Sequence, residues 1–124
     1  MLRCVTLAAA LVVLPAAAQV QRNFPANALR GELVIVQPPQ VQLNGQTAQL
    51  APGSRIRGEN NMLAMSGALI GQRLIVHYTR DLTGGLLDVW VLTPAERANR
   101  PWPVNEVQAK AWTFDPIGQT WSKP

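Results

Sequence analysis

Val41-Gln42-Leu43-Asn44-Gly45-Gln46-Thr47-Ala48-Gln49-Leu50 is the stretch that decides the fold. Asn44-Gly45 stands between two segments that alternate apolar and polar residues. Asn and Gly both tolerate positive φ, which a two-residue type I′ hairpin turn requires. Closing the chain on that turn pairs Leu43 with Gln46 and Val41 with Ala48. Val41, Leu43, Ala48 and Leu50 then share one face, and Gln42, Thr47 and Gln49 share the other. Gln46 is the polar intruder, at the mouth of the turn. One apolar face and one polar face is the signature of an antiparallel sheet with a core on one side.

The neighbouring segments extend the same reading in both directions. Upstream, Leu33-Val34-Ile35-Val36 is a β-branched run stopped by Pro38-Pro39, because Pro cannot donate to a sheet ladder. Downstream, Pro52-Gly53 predicts a turn and Ser54 to Arg57 a short strand with Ile56 inward, broken by Glu59-Asn60-Asn61. Met62 to Gly71 is ambiguous: Met, Leu and Ala favour helix, but Gly67 and Gly71 cut it short, leaving a strand or a single turn before a tight connection. Gln72 to Arg80 reads as a strand with Leu74, Val76 and Tyr78 on one face and Ile75, His77 and Thr79 on the other. Asp81 to Gly85 is a hairpin loop. Leu86 to Thr93 returns with Leu87, Val89 and Val91 facing one way and Trp90 the other. Strands spaced by turn signals in this way predict an all-β fold, a small antiparallel barrel or sandwich. Pro94 to Ala98 opens with Pro at a first helical position and adds a short C-terminal helical turn.

Pro101-Trp102-Pro103 marks a stiff boundary before a tail, and Asp115-Pro116-Ile117-Gly118 matches a type I turn within it. A hairpin closed there would pair Phe114 with Gln119 and set Trp112 opposite Trp121. At the other end, Met1-Leu2-Arg3, the apolar run Val5 to Leu14 and Ala16-Ala17-Ala18 have the order of a secretory signal peptide cut after Ala18. The run falls short of the roughly 20 residues that span a bilayer, so the mature chain is expected to have no transmembrane span. The expected organisation is therefore a signal peptide (1–18), a flexible lead-in (19–28), a small β-barrel domain (29–100) and a C-terminal segment rich in Pro and Trp (101–124). Export is expected, with the periplasm as the compartment.

Composition narrows the chemistry. The single Cys4 lies inside the signal, ahead of the apolar run, so neither a disulfide nor a lipid anchor is expected of the mature domain. The 11 Lys+Arg against 7 Asp+Glu give a modest positive charge without runs of one sign. Nucleic-acid binding, which calls for clustered Lys and Arg, is not expected. His77 is the only histidine, and a zinc site is not expected from one His without mature Cys. The acids are scattered, against a calcium site. Ser54, Ser66 and Ser122 lie outside any Gly-x-Ser-x-Gly elbow, and no phosphate loop or dinucleotide glycine pattern occurs. No metal or cofactor is expected, and no catalytic residue is assigned. The candidate ligand-binding residues are Arg55, Arg57, His77 and Tyr78 on the strands, and Trp102, Trp112 and Trp121 in the tail. Trp stacks on sugars or anchors a partner, and Arg forks bind anions. Each also has a plain structural reading, as a solvated strand face or as aromatic cover for the barrel.

Gly31-Glu32-Leu33-Val34-Ile35-Val36, Leu43-Asn44-Gly45, Leu50 to Ile56, Gly71 to Val76 and Asp88-Val89-Trp90-Val91-Leu92 together resemble small exported bacterial β-barrel domains of the OB-like kind. The resemblance covers about half the chain, Arg30 to Thr93. It implies an OB-like or SH3-like barrel with Glu59 to Ile70 in the slot between the third and fourth strands. It implies no catalysis and carries no functional residue across. The function expected is a non-enzymatic binding or interaction module with an unidentified protein or cell-envelope partner. Two alternatives stay open: a cell-wall or oligosaccharide binder using the tail tryptophans, and a minor hydrolase using His77 and Asp88.

Overall fold

The computed structural model describes residues 22–124, so the expected signal peptide, its cut after Ala18 and the start of the lead-in lie outside the described residues. The described chain is mostly strands with few, short helices. Five strands, β1 (Leu29–Gln37), β2 (Gln40–Leu43), β3 (Gln46–Arg57), β4 (Arg73–Arg80) and β5 (Leu86–Val91), pair as a closed ring in the order β1-β2-β3-β5-β4, with β4 returning to β1. The Asn-Gly hairpin has the register that its alternation predicts, Leu43 opposite Gln46 and Val41 opposite Ala48. Asn44 and Gly45 take positive φ, 53° and 79°.

The ring departs from the expected antiparallel pattern at one seam. β3 and β5 run parallel. The cause is the connection 58–72, which carries the chain past β3 to pair β4 with β1. Antiparallel β4–β5 pairing then turns β5 the same way as β3. That connection holds a single 3-10 turn, Ser66–Leu69, tied in by bridges Arg57 to Leu63 and Ile35 to Ile70. Pro52-Gly53, expected to end a strand, instead lies within the 12-residue β3. The register slips there between Leu50 and Arg55, so the strand bends without breaking.

Leu33, Ile35, Val41, Val76, Leu86 and Val89 are fully buried inside the ring, with Leu74 and Tyr78 beside them. Each fully buried aliphatic side chain contributes about 1.5–3 kcal/mol relative to leaving it exposed. Leu86 takes the inward place expected of Leu87, because the β4–β5 register shifts between Tyr78 and Arg80. Gly31 sits where strands close tightly. A Cβ built there would lie 2.9 Å from Leu43 Cδ1 and 3.1 Å from Tyr78 Cε1.

A second layer covers the outer face of β4 and β5. Its elements are the segment 22–28, α1 (Pro94–Ala98), α2 (Glu106–Ala111) and the hairpin β6 (Thr113–Asp115) with β7 (Thr120–Ser122). Phe24, Ala28, Leu92, Trp102 and Trp121 form its buried cluster, against which Ile75, Trp90, Trp112 and Phe114 pack. The described part of the lead-in is thus packed rather than loose. Arg22 is buried; it pairs with Glu96, donates from Nη2 to Val91 O at 2.7 Å and from Nη1 to Gly58 O at 2.9 Å. Glu96 also completes a capping box with Thr93 at the start of α1, where Pro94 stands as expected.

The tail hairpin forms, but in a different register. Phe114 faces Trp121 rather than Gln119, with ring centroids 4.8 Å apart. Gln119 is the cause. It takes φ 53° and turns its buried side chain to accept from Phe24 N at 2.8 Å, which holds it in the loop. The loop lengthens to Pro116–Gln119, and Trp112 falls back to the C-cap of α2. α2 itself is started by Asn105, whose side chain accepts from Gln108 N at 2.9 Å.

Candidate functional site

The candidate residues separate into three places. Arg55 lies on the parallel seam opposite Asp88 and donates to it, Nε to Oδ1, at 3.2 Å, with most of its side chain in solvent. Arg57 donates to Asn61 O at 3.3 Å and serves the loop after β3. Tyr78 is a core residue inside the ring. None of these three faces the tail tryptophans.

His77 and Trp102 meet on the outside of the ring. The imidazole is buried and stacks on the indole, with centroids 4.0 Å apart and planes 23° from parallel. Phe24 meets its edge at 4.4 Å. Arg30 Nε and Nη2 both approach His77 Nε2, at 3.2 and 3.1 Å. That nitrogen must therefore accept, which puts the proton on Nδ1. Burial, and then the charges of Arg30 and Arg22, push the His77 pKa down to about 2, so the ring is neutral. His77 Nδ1 has no hydrogen-bond partner among the described residues. The arrangement holds Arg30 still rather than preparing a base: His77 lacks the orienting acid of a catalytic pair, and Asp88 is engaged with Arg55.

Trp102 donates from Nε1 to Ala28 O at 2.9 Å and is buried, as is Trp121. Two of the three tail tryptophans are accordingly part of the second core. Trp112 is the one left half-buried. It lines an open cleft of about 560 Å³ where the cap meets the edge of β1 and β4. Arg30, Arg97, Arg100 and Lys123 converge on the same cleft, and no carboxylate lines it. Ile75, Pro101, Trp102 and Val104 supply an apolar floor, and Gln108 a neutral polar group. The Lys123 ammonium lies 5.4 Å from the Trp112 ring centroid.

The four cations differ in how far they are already used. Arg30 donates from Nη1 to Asn99 O at 2.8 Å and to Arg97 O at 3.4 Å, and from Nη2 to Glu96 O at 2.9 Å, besides its two contacts to His77. All five guanidinium hydrogens are committed. They satisfy carbonyls at the C-terminal end of α1, where a cation also suits the helix dipole. Burial first, and then the charge of Arg100, lower the Arg30 pKa to about 10. Arg97 donates to Leu92 O at 3.2 Å and lies 3.8 Å from Glu59. Arg100 and Lys123 make no hydrogen bond or ion pair to a described side chain, and both are exposed.

The cationic half of this cleft was missed by the sequence reading. Arg30 follows Leu29 and precedes Gly31 and Leu33, so its outward direction is legible; Arg97 and Arg100 both precede the Pro101-Trp102 boundary. Their convergence depends on the cap folding back over β4. A second, more polar cleft of about 540 Å³ lies between β3 and the β4–β5 loop, with Gln46, Gln49, Arg80 and Thr83 along it. Arg80 there is bonded to Gly84 O at 2.8 Å and lies over Tyr78. Among the described residues no three His, Cys, Asp or Glu side chains converge as a metal site, and no helix is long and apolar enough to cross a membrane. No protein-family model matches the chain, and no curated protein or solved structure is significantly similar to it.

Proposed function

We propose that this chain is an exported, non-enzymatic binding module of the periplasm, an OB-like barrel whose capped outer face carries the ligand site. The strand order β1-β2-β3-β5-β4 with its parallel β3–β5 closure supports the OB-like reading. The observation that carries the function is the cleft beside Trp112, where four cationic side chains and an indole converge without a carboxylate. Concave sites of this size with an apolar floor and a few polar groups are where small ligands bind. Of the tail tryptophans, Trp112 stands half-exposed at the rim, Trp102 is buried beneath it as part of the floor, and Trp121 is buried in the second core. A hydrolase built on His77 and Asp88 is disfavoured, because the accepting nitrogen of His77 is taken by Arg30.

Co-sedimentation of the purified protein with cell-wall sacculi, beside a Trp112→Ala variant, tests this reading. Wild-type pelleting that the variant loses supports an envelope-binding module working through the cleft. Equal behaviour of the two proteins, in the pellet or in solution, removes the cleft from the function.

A further inference from the structure

We infer that the cleft beside Trp112 takes an oxyanion carried on a sugar ring, with Arg100 and Lys123 as the contacting donors and Arg30 as a fixed source of positive charge. This rests on the binding reading of the cleft and names its ligand class. Three observations point the same way. The first is the excess of positive charge: the cleft gathers three guanidinium groups and an ammonium, with no acid among its described lining residues and only Arg97 paired to a carboxylate, Glu59 at 3.8 Å. Arg100 lies close enough to Arg30 to disfavour the Arg30 charge, and an anion between them relieves that repulsion.

The second is the division of donors. Arg30 has no hydrogen left for a ligand, being locked to His77 and to the end of α1. It contributes field, held in place by the stack on Trp102. Arg100 and Lys123 have the opposite character: exposed, and without a hydrogen bond or ion pair to a described side chain, Lys123 touching only the Trp112 ring. A planar fork and an ammonium suit carboxylate or phosphate oxygens.

The third is the indole. Trp112 stands half-buried at the rim with Ile75 and Val104 near it, a surface that a bare inorganic ion would leave uncovered. A pyranose ring has an apolar face to lay on indole and hydroxyls for Gln108. Single-stranded nucleic acid is less well matched. It uses successive aromatic platforms along a basic groove, and Trp102, the neighbouring indole, is already buried against His77.

The experiment is calorimetric titration of the wild-type protein and the Arg100→Gln, Lys123→Gln and Trp112→Phe variants. The probes are oligogalacturonate, glucose 6-phosphate, a neutral cello-oligosaccharide, inorganic phosphate and oligothymidylate. Arg100 is exposed and makes no side-chain bond in the described fold, so its variant is expected to unfold like wild type, which a urea titration checks. The expected result is binding of an anionic sugar that weakens in high salt and about tenfold in Arg100→Gln, the loss expected for a charge-assisted hydrogen bond. Galacturonate against sugar phosphate then tells carboxylate from phosphate. Equal binding of the neutral oligosaccharide, untouched by Arg100→Gln, overturns the oxyanion and leaves the binding module standing. Inorganic phosphate binding as tightly as the sugars overturns the ring on Trp112, and tighter oligothymidylate binding replaces the sugar with nucleic acid. No binding of any probe, while sacculi still pellet the wild type but not Trp112→Ala, overturns the ligand class alone. No binding of probes or sacculi overturns both readings.

Discussion

Acid should destabilise this protein at a pH where its carboxylates are still ionised, and His77→Gln should remove the effect. The native His77 pKa is depressed to about 2 by burial and by Arg30 and Arg22, whereas an unfolded His titrates near 6.5. Between those values the unfolded chain binds a proton that the folded chain refuses. Stability therefore falls as pH drops below about 6.5, with a limiting slope of about 1.4 kcal/mol per pH unit. At pH 5 the loss relative to pH 8 comes to about 2 kcal/mol, and any native pKa below about 4 gives the same figure. For a domain of this size that is a Tm lowered by roughly 8–16 °C. Asp81, whose pKa is lowered chiefly by its hydrogen bond from Thr83, contributes stability that is lost only further down, as pH falls through the ordinary carboxylate range. The window from pH 5 to 8 thus isolates the imidazole. Gln at position 77 keeps an acceptor for Arg30 without a titrating ring. Urea unfolding of both proteins at pH 5, 6, 7 and 8 is the assay, compared through the difference in stability. Parallel curves for wild type and His77→Gln would refute the reasoning, since they would mean that His77 takes up its proton in the folded state.

Three further outcomes follow from the packing. Arg22→Ala leaves the half-buried Glu96 carboxylate without its partner and two carbonyls, Gly58 O and Val91 O, without their donor, so a loss of about 3–5 kcal/mol is expected by urea titration with an unchanged m-value. Gly31→Ala drives a methyl group into Leu43 and Tyr78 and should cost about 1–3 kcal/mol, read as a drop in Tm. Trp102→Ala removes the centre of the outer cluster and its bond to Ala28 O, for about 3–5 kcal/mol, while Trp112→Ala at the half-exposed rim should cost about 1 kcal/mol or less. Equal losses at the two tryptophans, measured side by side by urea titration, would contradict the division between core and cleft.

What the sequence made legible was local. The Asn-Gly register, the common face of Leu74, Val76 and Tyr78, and the helix start at Pro94 each follow from a few adjacent residues, and each is found, though that face is the core and Tyr78, offered as a ligand-binding residue, lies inside it. The misread features are those settled at a distance. Pro52-Gly53 carries turn chemistry, yet β5 pairs with β3 on both sides of it and turns the signal into a bend. Phe114 meets Trp121 because Gln119 is recruited by Phe24, 95 residues away. Neither contact leaves a trace in the spacing of nearby residues.

The same distinction explains why the candidate site was only half visible. Alternation tells which strand residues point away from the ring, and it sets Arg30, Ile75 and His77 outward. Outward is solvent only if nothing covers the sheet. Here segments from both ends of the described chain, 22–28 and 101–124, cover the outer face and convert it into a second core. His77 becomes a buried neutral prop, Trp102 its stacking partner, and Trp121 part of the same cluster. At the margin of that cover Trp112 stays half exposed, and Arg30, directed outward from β1, meets Arg97 and Arg100 from the cap. A binding surface made at the edge of a cap draws its charge from one part of the chain and its aromatic ring from another. Its residues therefore need not form a run, which is why a chain without a like-charge cluster in sequence carries one in space.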